Sequence, residues 1–95
     1  MAIDAPISRY ANIAGAGTTV ISTKPGILKR VVFNAQAVST GITIYDNTAA
    51  SGTKIASPSL GLTLITFGVM EYDCFFTIGL TVVGAAGWDA TVVYQ

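Results

Sequence analysis

Apolar and polar residues alternate with a period of two along most of this chain. In Gly41 to Ala56, GITIYDNTAASGTKIA, Ile42 and Ile44 alternate with Thr43 and Tyr45, so one face is set inward and the other outward. Asp46 to Gly52 then breaks the pattern with turn chemistry. Asp and Asn bond nearby backbone, and Gly supplies positive φ. Thr53 to Ala56 resumes an extended register, so the segment predicts a hairpin. Arg9 to Ala14 predicts a strand, Ala14 to Gly17 a turn, and β-branched Thr18 to Thr23 a second strand. Lys24-Pro25-Gly26 is a strong turn signal. Ile27 to Ala37 predicts a long strand, with Ile27, Lys29, Val31, Phe33 and Ala35 toward the core. Leu28, Arg30, Val32, Asn34 and Gln36 then point away.

Further on, Leu60 to Met70 predicts a strand that is apolar on both faces, hence covered on both sides. Glu71, Tyr72 and Asp73 are expected at a bend. Phe75 to Val83 alternates again, with Phe76, Ile78, Leu80 and Val82 on one side. Gly84 to Gly87 predicts a turn, and Trp88 to Gln95 a closing strand with Ala90, Val92 and Tyr94 on one face. No window has the i, i+3, i+4, i+7 spacing of a capped helix. Seven or eight short strands separated by turn signals predict an all-β fold, an antiparallel sandwich or barrel. Residues 9–95 are expected to form this single domain, after an irregular N-terminal arm over 1–8.

Composition changes the picture. Hydrophobic residues make up 52% of the 95 and charged residues 11%, with zero formal net charge. The mean hydropathy is +0.62. A soluble domain typically carries about 25% charged residues. The excess apolar surface points either to a membrane or to burial in an assembly. The uncharged stretch Cys74 to Trp88 is 15 residues long, with three glycines and two threonines. A spanning helix needs about 20 residues. MAIDAPISRY has neither the basic nor the apolar region of a signal peptide. We therefore expect no membrane partner, and a surface buried against copies of the same chain or a larger lattice.

Candidate chemistry is sparse. There is no histidine, which removes the Ser–His arrangements, most zinc sites and the usual general base. The single Cys74, beside Phe75 and Phe76, is expected to be a small buried hydrophobe. Glu71 and Asp73 form the one close carboxylate pair. It fits a hydrolytic or calcium role less well than it fits charges that keep a turn wet. Asp46-Asn47-Thr48 offers oxygens to a cation, but an Asx-type turn is the simpler expectation. No glycine spacing matches a nucleotide loop. Arg9, Lys24, Lys29, Arg30 and Lys54 are balanced by acids, and Lys29 and Arg30 are expected on opposite faces, so no nucleic-acid partner is expected. Tyr10, Tyr45, Tyr72, Trp88 and Tyr94 are candidates for stacking on sugars, though packing is the commoner fate. No catalytic, cofactor-binding or metal-binding residue is assigned.

Two motifs carry a resemblance. Pro25-Gly26-Ile27-Leu28-Lys29-Arg30-Val31-Val32 enters a strand, and Ile42 to Ala56, ITIYDNTAASGTKIA, forms the hairpin. Together they resemble small all-β virion proteins of tailed bacteriophages, of the capsid decoration (cement), head-fibre or minor structural type. The likeness runs from about Tyr10 to Ala90-Thr91-Val92-Val93-Tyr94. It implies a jelly-roll-like β-sandwich, a homo-oligomer with a trimer favoured, and no enzymatic activity or cofactor. The implied function is to stabilise the head by bridging neighbouring shell subunits. The implied partners are the major capsid protein or other virion proteins, and the implied location is the capsid surface, after assembly in the bacterial host cytoplasm. A fibre- or tail-associated module binding carbohydrate or a receptor is the alternative.

Overall fold

The computed structural model describes residues 8–35, 41–57 and 68–95. The arm expected over 1–8, apart from Ser8, lies outside the described residues. So do the end of the strand expected over Ile27 to Ala37 and most of the one expected over Leu60 to Met70. Eight strands are described: β1 (Arg9–Ala14), β2 (Gly17–Ser22), β3 (Gly26–Ala35), β4 (Thr43–Asp46), β5 (Thr53–Ala56), β6 (Val69–Phe76), β7 (Leu80–Gly84) and β8 (Asp89–Tyr94). They form two four-stranded sheets, ordered β1-β8-β3-β6 and β2-β7-β4-β5. Every pairing is antiparallel. The pairs β1·β8, β2·β7, β3·β6 and β4·β5 are those of one long hairpin, folded at the β4–β5 turn and rolled up. That is the strand order of a jelly roll.

The two sheets enclose one apolar core. Leu28, Val31, Phe33, Phe76, Ala90 and Val92 come from the first sheet, with Ile13 from β1 and Trp88 just before β8. Ile44, Leu80 and Val82 come from the second, with Ile42 just before β4. Burial of each large side chain contributes about 1.5–3 kcal/mol. Trp88 meets Phe33 edge to face, with ring centroids 5.5 Å apart and planes at 74°. The expected inward faces of β4 and β8 are the buried ones.

β3 departs from its expected alternation. Leu28 pairs with Tyr94 and Arg30 with Val93, so Lys29 is an extra residue relative to β8. Leu28 and Val31 are both fully buried, while Lys29 and Arg30 between them are half-buried. The bulge reverses the parity of the strand ahead of it. Leu28 therefore faces the core in place of Ile27 and Lys29, Val31 and Phe33 are buried as expected, and Ala35, past a second extra residue at Asn34, is exposed. The burial order also sets Lys29 and Arg30 on the same outer side, not on opposite faces. On the β6 side, Leu28 pairs with Cys74 and Arg30 with Glu71, leaving Tyr72 and Asp73 against the one residue Lys29. Asp73 takes a left-handed φ of 46°, which Asp tolerates better than most residues. Lys29 Nζ lies 3.0 Å from Asp73 Oδ1 across this irregularity.

The chain also breaks where alternation did not place a break. Glu71, Tyr72 and Asp73 lie inside β6, not at a bend. The turn falls at Thr77-Ile78-Gly79, in the middle of the strand expected over Phe75 to Val83. Its cause is remote in sequence. The Asp46 carboxylate, at the end of β4, accepts the backbone N–H of Thr77 at 2.9 Å and of Ile78 at 2.8 Å, and the Thr77 hydroxyl at 3.1 Å. Ile78, expected inward, is 54% exposed.

Candidate interaction surface

The outer face of the β1-β8-β3-β6 sheet can be assembled row by row from the register. One row holds Tyr10, Val93, Arg30 and Glu71. The next holds Asn12, Thr91, Val32 and Val69. At the end nearest the β6–β7 turn, Ile27 pairs with Phe75, and Ile27 and Gln95 exchange backbone hydrogen bonds of 2.9 and 2.8 Å. Tyr10 is 76% exposed, Phe75 78% and Val69 52%. Ile27, Val32 and Val93 are half-buried among them. Apolar side chains thus run from edge to edge of the sheet.

The four charges of β3 and β6 on this face are paired with one another. Arg30 Nε donates to Glu71 Oε2 at 3.0 Å, beside the Lys29–Asp73 pair. Exposed pairs of this kind contribute about 0–1 kcal/mol to folding, so their main effect is to cancel those four charges. One end of the face is polar. Asn34 is another extra residue relative to β8, and its amide donates to Asp89 Oδ1 and to Thr91 Oγ1, both at 3.1 Å. The Asn12 amide donates to the same Asp89 oxygen at 2.7 Å. These two amides hold the Asp89 carboxyl below its usual range, against a small opposing effect of burial.

The residues singled out by sequence fall out as follows. Glu71 and Asp73 are each bound to a cation of β3, Arg30 and Lys29 respectively. Asp46-Asn47-Thr48 is turn structure. Asn47 Oδ1 accepts the Thr48 N–H at 2.8 Å and Asn47 Nδ2 donates to the Ser51 carbonyl at 2.7 Å, while Asp46 is spent on the β6–β7 turn. Partial burial pushes the Asp46 carboxyl up. The Thr77, Ile78 and Gly79 N–H groups and the Thr77 hydroxyl outweigh it and leave the carboxyl below its usual range. Among the described residues no group of three or more His, Cys, Asp and Glu side chains is placed to hold a metal ion. Cys74 is half-buried against the core. Burial first, then the charges of Asp73 and Asp46, push its thiol up, the direction that disfavours a nucleophilic thiolate.

The stacking candidates divide. Trp88 is 3% exposed and belongs to the core. Tyr45, Tyr72 and Tyr94 are half-buried, and burial, followed by nearby Cys74, raises the Tyr72 hydroxyl. Only Tyr10 of the five stands clear. Phe75 was not singled out by sequence, although a signal was present. Consecutive strand residues point to opposite faces, so the Phe75-Phe76 pair must send one ring outward unless both faces are covered.

No family model, curated protein or solved structure matches the chain. Among the described residues, no helix is long and apolar enough to cross a membrane.

Proposed function

We propose that the chain is a structural subunit of a larger particle, and that the particle is a bacteriophage head on which it acts as a decoration protein bridging neighbouring shell subunits. The observation that carries this reading is the outer face of the β1-β8-β3-β6 sheet. It holds Tyr10 and Phe75 more than three-quarters exposed, with Val93 and Ile27 between them, Val32 and Val69 beyond the Arg30–Glu71 row, and its ion pairs closed within itself. Burying each such ring contributes about 2–3 kcal/mol before association costs, and repetition of the contact over a lattice multiplies weak binding. The low charge and the resemblance of the Pro25–Val32 and Ile42–Ala56 motifs to virion proteins support the same reading, and the jelly roll is one of the folds that capsid proteins use.

The test is co-sedimentation of the purified chain with phage shells that lack it. The expected result is binding that drops at least about tenfold in Tyr10→Ser/Phe75→Ser, with thermal stability retained because both rings are already exposed. A wild-type chain that stays in the supernatant, or a double variant that binds equally well, contradicts the reading. A second reading is supported by one observation: Tyr10 shares its outer face with the Asn12, Thr91, Asn34 and Asp89 side chains, an aromatic platform beside polar groups. That is the chemistry of a sugar site. Glycan binding abolished by Tyr10→Ala and untouched by Phe75→Ser would favour it over shell binding.

A further inference from the structure

Among the described residues each sheet ends in two edge strands, β1 and β6 in one and β2 and β5 in the other. An edge presents unpaired backbone N–H and C=O groups, and folded proteins blunt such edges with charge, shortness or bulges. Three of the four edges here carry such a device. β1 begins at Arg9, and β5 is only four residues long and contains Lys54. β6 contains Glu71 and Asp73 and is bulged at Asp73. β2, GTTVIS, has no charge and no proline, and Gly17 to Val20 are all exposed. Its register shift falls between Val20 and Ser22, past that exposed stretch.

We propose that β2 pairs antiparallel with β2 of a second copy about a two-fold axis, joining two four-stranded sheets into one sheet of eight strands. Charge selects the occupant. A two-fold axis sets a strand against its own sequence reversed, so charges on it are brought near their own kind. Lys54 near the middle of β5 and the Glu71 and Asp73 acids about the middle of β6 would meet that repulsion, and Arg9 leaves a charge at the end of β1. β2 alone has nothing to repel. Its Thr18, Thr19 and Val20 are β-branched, the residue type that packs well across strands. With zero net charge, repulsion between whole molecules does not oppose the pairing either. This inference deepens the assembly reading and rests on it, but it uses a different surface from the Tyr10–Phe75 face.

The test is the solution mass of the full chain by light scattering across a micromolar concentration series, with hydrogen exchange read at β2. The expected mass is twice 9.8 kDa, with the Thr18 to Val20 amides protected in the dimer. Val20→Lys is expected to weaken dimerisation at least about tenfold and to expose those amides. Thr18→Lys does the same and serves if Val20→Lys fails to fold, which circular dichroism reports. Tyr10→Ser/Phe75→Ser stays dimeric. The pairing is overturned by a single-copy or trimeric wild-type mass, by a dimer that survives both lysines, or by a dimer lost in the Tyr10/Phe75 variant. A wild-type monomer that binds shells overturns the pairing and leaves the assembly reading standing. A β2-dependent dimer that ignores shells upholds the pairing and overturns the shell-binding reading.

Discussion

The β4–β5 hairpin and the β6–β7 junction meet at Asp46, and they are held by different means. The hairpin loop is closed mainly by its own residues: Asn47 bonds the Thr48 N–H and the Ser51 carbonyl, and Gly52 takes a positive φ of 87°, with one bond from outside, the Thr81 hydroxyl donating to the Asn47 carbonyl at 2.8 Å. The junction borrows its acceptor from a residue 31 positions earlier. They also present different surfaces. The hairpin loop displays small and polar residues, whereas the junction displays Phe75 at 78% and Ile78 at 54% exposure, on either side of buried Phe76. A turn closed by its own residues can be altered locally. A turn closed by a distant carboxylate couples the strand order to the candidate interaction surface, because releasing it frees the end of β6 that carries Phe75.

Substitutions can separate the two. The largest effect is expected from Gly79→Ala. An added Cβ would lie 2.6 Å from the Ser22 carbonyl oxygen and 2.9 Å from Thr48 Cγ2, so backbone must move. A loss of about 2–3 kcal/mol in denaturant unfolding is expected, within the range for overpacking. A cost under about 0.5 kcal/mol would mean that the junction does not pack on the hairpin as described.

Next comes Asp46→Ala, at about 1–2 kcal/mol, which removes one charged acceptor from four donors. The same group sets a pH dependence. Its carboxyl is held below the usual range in the folded chain, so its stabilisation is fully present above the unfolded-state value and is lost as pH falls through the lower folded value. The wild type should therefore lose stability at strongly acid pH more steeply than Asp46→Ala does. Parallel acid profiles would contradict the role given to Asp46.

Asn47→Ala should cost least, about 0.5–1 kcal/mol, with hydrogen exchange rising only in residues 47–52. Spreading of that change to Thr77 and Ile78 would erase the distinction between the two turns.

The same contrast explains what could be read in advance. The β4–β5 hairpin, β1 and the inward set Ala90, Val92 and Tyr94 were legible because local turn residues and strict alternation specify them. The sandwich followed from counting such segments. Three features were not legible. The bulge at Lys29 exchanges the faces of β3 only ahead of it, burying Leu28 while Val31 and Phe33 keep their expected side, and alternation carries no mark of an extra residue when both faces hold apolar side chains. The break at Thr77 to Gly79 depends on Asp46, and nothing in TIG announces a turn as KPG or DN does. The candidate face depended on which ring of Phe75-Phe76 points out, a choice fixed by the register of β6 on β3. Trp88, a stacking candidate for which packing was the commoner expectation, is in the core.

We propose that another protein covers the outer face of the β1-β8-β3-β6 sheet around Tyr10 and Phe75. The most direct test is hydrogen exchange and solvent labelling of Tyr10 in the chain alone and on phage shells. Shell binding should protect the Tyr10 ring and the outer face of β6 around Phe75, while the hairpin loop at 47–52 stays as accessible as before. A Tyr10 ring that is labelled equally in both states would contradict the account.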